Sequence, residues 1–174
     1  MPPPRSAPSI PHWTRAGTLL LAIAPAALPL PVAVLRLDGI EFRRKHELHA
    51  TIVGNALGAR VRRAMADRAV RHAIAEAIAS LDWWWRRCRE WTLIEKREGA
   101  RCRHSLIERI ELPAMAAFHV RLGERLGEAL PVPPPHVTLY TAGGTRGIGI
   151  PDDATLARRR VRTVDAAELR DVVS

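Results

Sequence analysis

The chain has 174 residues, 47% of them hydrophobic, with a net charge of +9 and a sequence pI near 11.2. That length and apolar content exclude a disordered chain and leave room for one domain with a real core. Lys45 and Lys96 are the only lysines, so arginine carries the charge; it favours polyanionic partners through phosphate contacts, although the same excess spread over solvated faces needs no partner.

Residues 1–15 hold Pro2, Pro3, Pro4, Pro8 and Pro11 and are expected to form a flexible leader, with a single domain over 16–174. The apolar run from Leu19 to Leu35 follows Arg5 and Arg15 in the manner of a signal peptide. Pro25, Pro29 and Pro31 interrupt it, and its 17 residues fall short of a comfortable span, so no membrane association and a cytoplasmic location are expected. Gly17–Ala24 and Val32–Leu37 read as strands, and Asp38-Gly39 as a turn. Leu48-His49-Ala50-Thr51-Ile52-Val53 alternates like a half-buried strand, which puts His49 and Thr51 on one face. The preceding His46-Glu47-Leu48-His49 lacks the i,i+4 spacing of a zinc helix, and His46 is expected at the surface.

From Asn55, read as an N-cap, to about Leu81 the apolar positions Val61, Met65, Val70, Ile74, Ile78 and Leu81 keep a helical period, with His72 solvated. Trp83-Trp84-Trp85 follows. No regular element buries three consecutive side chains on one side, so one indole should be at least half exposed. Trp83, next to Arg86 and Arg87, is a candidate for base stacking, against the alternative that Trp plugs a gap between helix and sheet. Trp91–Lys96 and Cys102–Ile110 read as strands around a Gly99 turn. Cys88 and Cys102 are too few for a disulfide scaffold, which suits a reducing compartment, and with His104 they make only a weak metal set; no metal and no cofactor are expected. Pro113 opens a helix whose core stripe is Phe118, Leu122, Leu126 and Leu130, with His119 at its margin. Pro131, Pro133, Pro134 and Pro135 end it and deliver the chain, extended, to His136.

Pro135-His136-Val137-Thr138-Leu139-Tyr140 repeats the pattern of residues 48–53. The chain has seven His, and about half of one H-x-[ST] match is expected by chance; three occur. His12-Trp13-Thr14 lies in the Pro-rich leader and is set aside. The other two share an apolar residue directly after the Thr. Two imidazoles supply an acid and a base near neutral pH, and two hydroxyls can hold phosphate oxygens. Tyr140 leans over a base or packs; the sequence leaves both open. Gly143-Gly144-Thr145-Arg146-Gly147-Ile148-Gly149 lacks the Lys-Ser/Thr ending of a phosphate loop and reads as a glycine-rich turn. Arg158–Val164 reads as a last strand, and Asp165 with Glu168 as the capping box of a terminal helix.

The two tetrads resemble those of the two-histidine (2H) phosphoesterase superfamily, the group of bacterial 2′-5′ RNA ligase-like proteins and 2′,3′-cyclic phosphodiesterases. The resemblance spans roughly residues 32–164, but rests almost wholly on LHATIV and PHVTLY. It implies an α+β fold of two pseudo-symmetric lobes, each an antiparallel sheet backed by helix, with the tetrads across a central cleft. It further implies that His49 and His136 are catalytic, that Thr51 and Thr138 bind phosphate, and that the substrate is RNA or a nucleotide with a cyclic phosphate, with no stable protein partner. A basic RNA-binding module without turnover is the alternative. The chain departs from the family's pattern at residues 25–31, which are too Pro-rich for the helix usual before the first tetrad.

Overall fold

The computed structural model describes residues 9–169. It is α+β: nine strands in one open sheet, all of its described pairings antiparallel, with four α-helices. The strands are β1 His12–Trp13, β2 Leu19–Ile23, β3 Val34–Leu37, β4 Ile40–Arg44, β5 Leu48–Val53, β6 Arg86–Glu98, β7 Arg101–Glu111, β8 His136–Ala142 and β9 Arg160–Val164. Their order is β1-β2-β5-β8-β7-β6-β9, and the β3–β4 hairpin joins β8 beside β5. The helices are α1 Asn55–Ala64, α2 Arg68–Ala79, α3 Pro113–Leu126 and α4 Asp153–Arg159. Among the described residues no helix is long and apolar enough to cross a membrane.

Alternation builds the core. In β5 the side chains of Leu48, Ala50 and Ile52 are buried while His49 and Thr51 are half-buried, and in β8 Val137 is buried between half-buried His136 and Thr138. The inward set packs with Leu21 and Leu106 and with helical Val61, Ile74, Phe118 and Leu122 into the main cluster. Beneath Val137, its cross-strand neighbour Glu108 is fully buried; Arg87 meets its carboxylate at 2.8 and 2.7 Å and the Trp91 indole adds a bond at 3.2 Å, so the charge is paired. A smaller cluster of Ile94, Ile107, Ile148 and Ile150, with Leu156 of α4 against it, covers part of the opposite face.

Several expectations need correction. The leader ends before residue 12, because His12 and Trp13 pair with β2; residues 1–8 lie outside the described residues. The helix expected over 55–81 is two helices. Asp67 restarts it by accepting a bond from the Ala69 amide at 2.7 Å, and Gly54 rather than Asn55 holds the first N-cap position. The apolar period runs through the break because both helices bury residues in the same cluster. His119 is not marginal: it is buried, and its Nδ1–H donates to the Met115 carbonyl at 2.9 Å. The last strand begins two residues late, after α4. Glu168 does accept from the Asp165 amide at 2.8 Å, but the residues after it form only a turn before the described chain ends.

Candidate active site

The pairing of β5 with β8 makes the site. Ala50 is the cross-strand partner of Val137, both fully buried. Side chains alternate, so the residues flanking these two project from the other face. One step along this antiparallel register, His49 stands opposite Thr138 and Thr51 opposite His136. Residues opposite one another lie about 5 Å apart at Cβ, and diagonal ones about 7–8 Å. The four predicted residues therefore form a compact quartet with the imidazoles on one diagonal and the hydroxyls on the other, a spacing that suits a tetrahedral anion seated between them.

The two histidines differ in their surroundings. His136 Nδ1–H donates to the Pro134 carbonyl at 2.7 Å. A carbonyl only accepts, so Nδ1 keeps the proton and Nε2 presents its lone pair. The run of prolines ahead of β8 supplies this bond, since extended Pro134 offers a carbonyl with no ladder partner of its own type nearby. His49 makes no comparable bond among the described residues. Both imidazoles are held below the ordinary value of 6.5. For His49 the main cause is burial, with the charges of Lys45 and His12 adding and Glu47 opposing. For His136 it is again burial, opposed by the bond to Pro134, with His49 itself adding to the depression. The mutual effect on His136 confirms that the two rings sense one another.

Other side chains complete the surface. Arg109, exposed, is the cross-strand partner of His136 on its other flank, so a guanidinium stem rises beside the quartet. Sequence reading missed it because only the β7–β8 register reveals its neighbour. Gly147 packs on Thr138: a Cβ there would lie 2.8 Å from the Thr138 hydroxyl and 3.4 Å from its Cβ. The glycine-rich segment is thus the wall beside Thr138, and Lys45 ties it down by donating to the Thr145 carbonyl at 2.9 Å. Further along β8 a groove of about 460 Å³ is lined by Arg43, Arg44, Lys45 and His46, with Glu41, Glu47 and Thr141 to Thr145. His12 also belongs to this surroundings: it pairs with Leu20, which pairs with Thr51, so the third H-x-T lies at the sheet edge in line with the quartet.

Neither base-stacking residue serves as expected. Trp83 is 2% exposed, packs on Phe118 with ring centroids 5.8 Å apart and donates its indole N–H to the Ile78 carbonyl at 2.8 Å. It fills the space between helix and sheet. Trp85 is buried on the same side and Trp84 is the half-buried indole, as the extended backbone between α2 and β6 requires. Tyr140 is also 2% exposed, and its hydroxyl donates to the Val32 carbonyl at 2.9 Å. A register shift at Leu139 turns Tyr140 away from the histidine face and into the core. His46 is exposed, as expected. Compared with known proteins, the chain matches no family model, no curated protein and no solved structure.

Proposed function

We propose that the protein is a metal-independent cyclic phosphodiesterase that hydrolyses 2′,3′-cyclic phosphate ends of RNA or nucleotides. The observation that carries this reading is the Ala50–Val137 pairing, which brings two H-x-T sequences 87 residues apart to one face with each His opposite the other's Thr. On this reading the sheet divides there into two lobes, β1-β2-β5 and β8-β7-β6-β9, related by an approximate two-fold with the site between them.

His136 is the base in hydrolysis, because its bonded Nδ1–H leaves Nε2 free to take a proton from water. The water oxygen attacks phosphorus, and negative charge grows on the non-bridging oxygens. Thr51, Thr138 and Arg109 stabilise that charge. As the bond from phosphorus to the ribose oxygen breaks, His49 protonates the departing oxygen. Run in reverse, with a 5′-hydroxyl in place of water, the same groups would join RNA ends, though excess water favours hydrolysis. The groove lined by Arg43, Arg44 and Lys45 suits the phosphates of an adjoining strand.

The test is turnover of a 2′,3′-cyclic nucleotide by the full chain in the presence of chelator, with RNA binding measured alongside. His49→Ala and His136→Ala should each abolish turnover and leave RNA binding largely intact; wild-type rates in both would falsify the two-imidazole mechanism. RNA binding by the unaltered chain without turnover would instead favour a non-catalytic binding module. Comparing a cyclic mononucleotide with an oligonucleotide that ends in a cyclic phosphate separates RNA ends from free nucleotides.

A further inference from the structure

At the far end of the β6–β7 hairpin, three side chains that the proposed chemistry does not use converge on one point. Glu95 of β6 is the cross-strand partner of His104 of β7, and Cys102 lies two residues before His104 on the same strand face. His104 Nε2 is 3.1 Å from the Glu95 Oε2 and 3.7 Å from the Cys102 Sγ. The carboxylate, thiol and imidazole atoms all lie within 4.8 Å of one another, and all three residues are partly buried. From this convergence we propose that Glu95, Cys102 and His104 form a binding site for a zinc ion.

The spacing fits that ion. Zinc bonds of about 2.3 Å to sulfur, and about 2.0–2.2 Å to nitrogen and oxygen, set at tetrahedral angles, give sulfur–nitrogen and nitrogen–oxygen edges of about 3.6 and 3.4 Å. The observed separations of 3.7 and 3.1 Å are close to both. A thiolate and an imidazole select a borderline-soft ion over magnesium or calcium. Three protein ligands leave a fourth position for water. The surroundings also resemble the outer layer of a metal site: Arg97 donates to the other Glu95 oxygen, Oε1, at 2.7 Å, which fixes the carboxylate with Oε2 turned to His104. Phe42 meets the His104 ring edge-on, with centroids 6.2 Å apart, and closes its apolar side. On binding, the Cys102 thiol loses its proton to solvent as the sulfur–zinc bond forms.

Cys88 has no part in this site. It sits near the start of β6, whereas Cys102 pairs with Arg97 near its end, about 30 Å away at roughly 3.3 Å per residue. The site lies on the core-side face of β7, since His104 is three residues from Ile107, the partner of Thr138. It touches the rest of the molecule through Gly143, whose φ of 73° and close approach to the Cys102 carbonyl exclude a side chain. Zinc here would clamp the open end of the longest hairpin against the segment that continues to Gly147.

Cobalt titration of the full chain tests this, after chelator treatment and under reducing conditions. One equivalent should produce a thiolate-to-cobalt charge-transfer band with the intense visible bands of four-coordinate cobalt, and one equivalent of zinc should remove them. Cys88→Ser should leave the band unchanged, Cys102→Ser should abolish it, and Glu95→Gln should weaken cobalt affinity at least tenfold. Absence of the band in the unaltered chain overturns the site, as does its survival in Cys102→Ser. Should Cys102→Ser fail to fold, Glu95→Gln decides alone, and affinity equal to that of the unaltered chain would count against the site.

Discussion

β5 and β8 carry the same H-x-T sequence, yet the fold treats the two copies differently. His136 enters from a rigid proline run, its Nδ1 committed to the Pro134 carbonyl, with Arg109 on one flank. His49 follows the loop of Lys45, His46 and Glu47, has no such bond among the described residues, and feels the charges of Lys45 and His12. Thr138 is pressed by Gly147, whereas Gly54, just after the β5 tetrad, has open space where a Cβ would go. A repeated motif thus supplies equivalent atoms, and the neighbours decide which atom keeps a proton.

The largest expected effect is loss of either ring. His49→Ala and His136→Ala should each lower kcat on a cyclic phosphate by about 10²–10⁴-fold, with the double variant little worse than the poorer single, because the groups act on one phosphate. Independent, multiplying losses would show that the two tetrads do not share a substrate.

A smaller effect separates the tetrads by their walls. Gly147→Ala pushes a methyl into Thr138 and should lower kcat on the order of tenfold while the chain stays folded. Gly54→Ser, with room for its side chain, should leave the rate as it was. Equal rates for both would remove the difference drawn here between the strands.

The pH dependence is the gentlest probe. Both imidazoles sit below 6.5. The acid must hold its proton, which burial makes it lose below that value, so the rate falls as pH rises. The base must be unprotonated, so the rate falls again at lower pH. Accordingly kcat/KM should peak below pH 6.5 and drop about tenfold per unit on the alkaline limb. A plateau extending through neutral pH would mean that the imidazoles titrate normally. His49→Ala should flatten the alkaline limb and His136→Ala the acid one, and the opposite pattern would exchange their roles.

The tetrads were legible because alternation is local: a His and a Thr two apart on a strand share a face whatever the fold. Most strands and the third helix were legible for the same reason. What joins His49 to Thr138 was not, since it depends on the register of strands far apart in the chain. Arg109 was hidden in the same way. Trp83 was misread through composition, because an indole near arginines looks available until the Ile78 carbonyl and Phe118 are seen around it. Tyr140 depended on the irregularity at Leu139, which no periodic pattern announces. The break at Asp67 left no mark on the hydrophobic period, and only the capping chemistry of Asp records it.

The join between β5 and β8 is narrow, a single residue pair, with β4 continuing along β8 through Arg43 and Arg44. Closing a loop that long is among the slow events of folding, so the quartet comes together only after much of each flanking sheet has formed. Turnover would then report on closure of that seam rather than on secondary structure. Amide exchange at Ala50 and Val137 would be expected to track loss of activity on gentle heating, ahead of exchange in the long β6–β7 ladder.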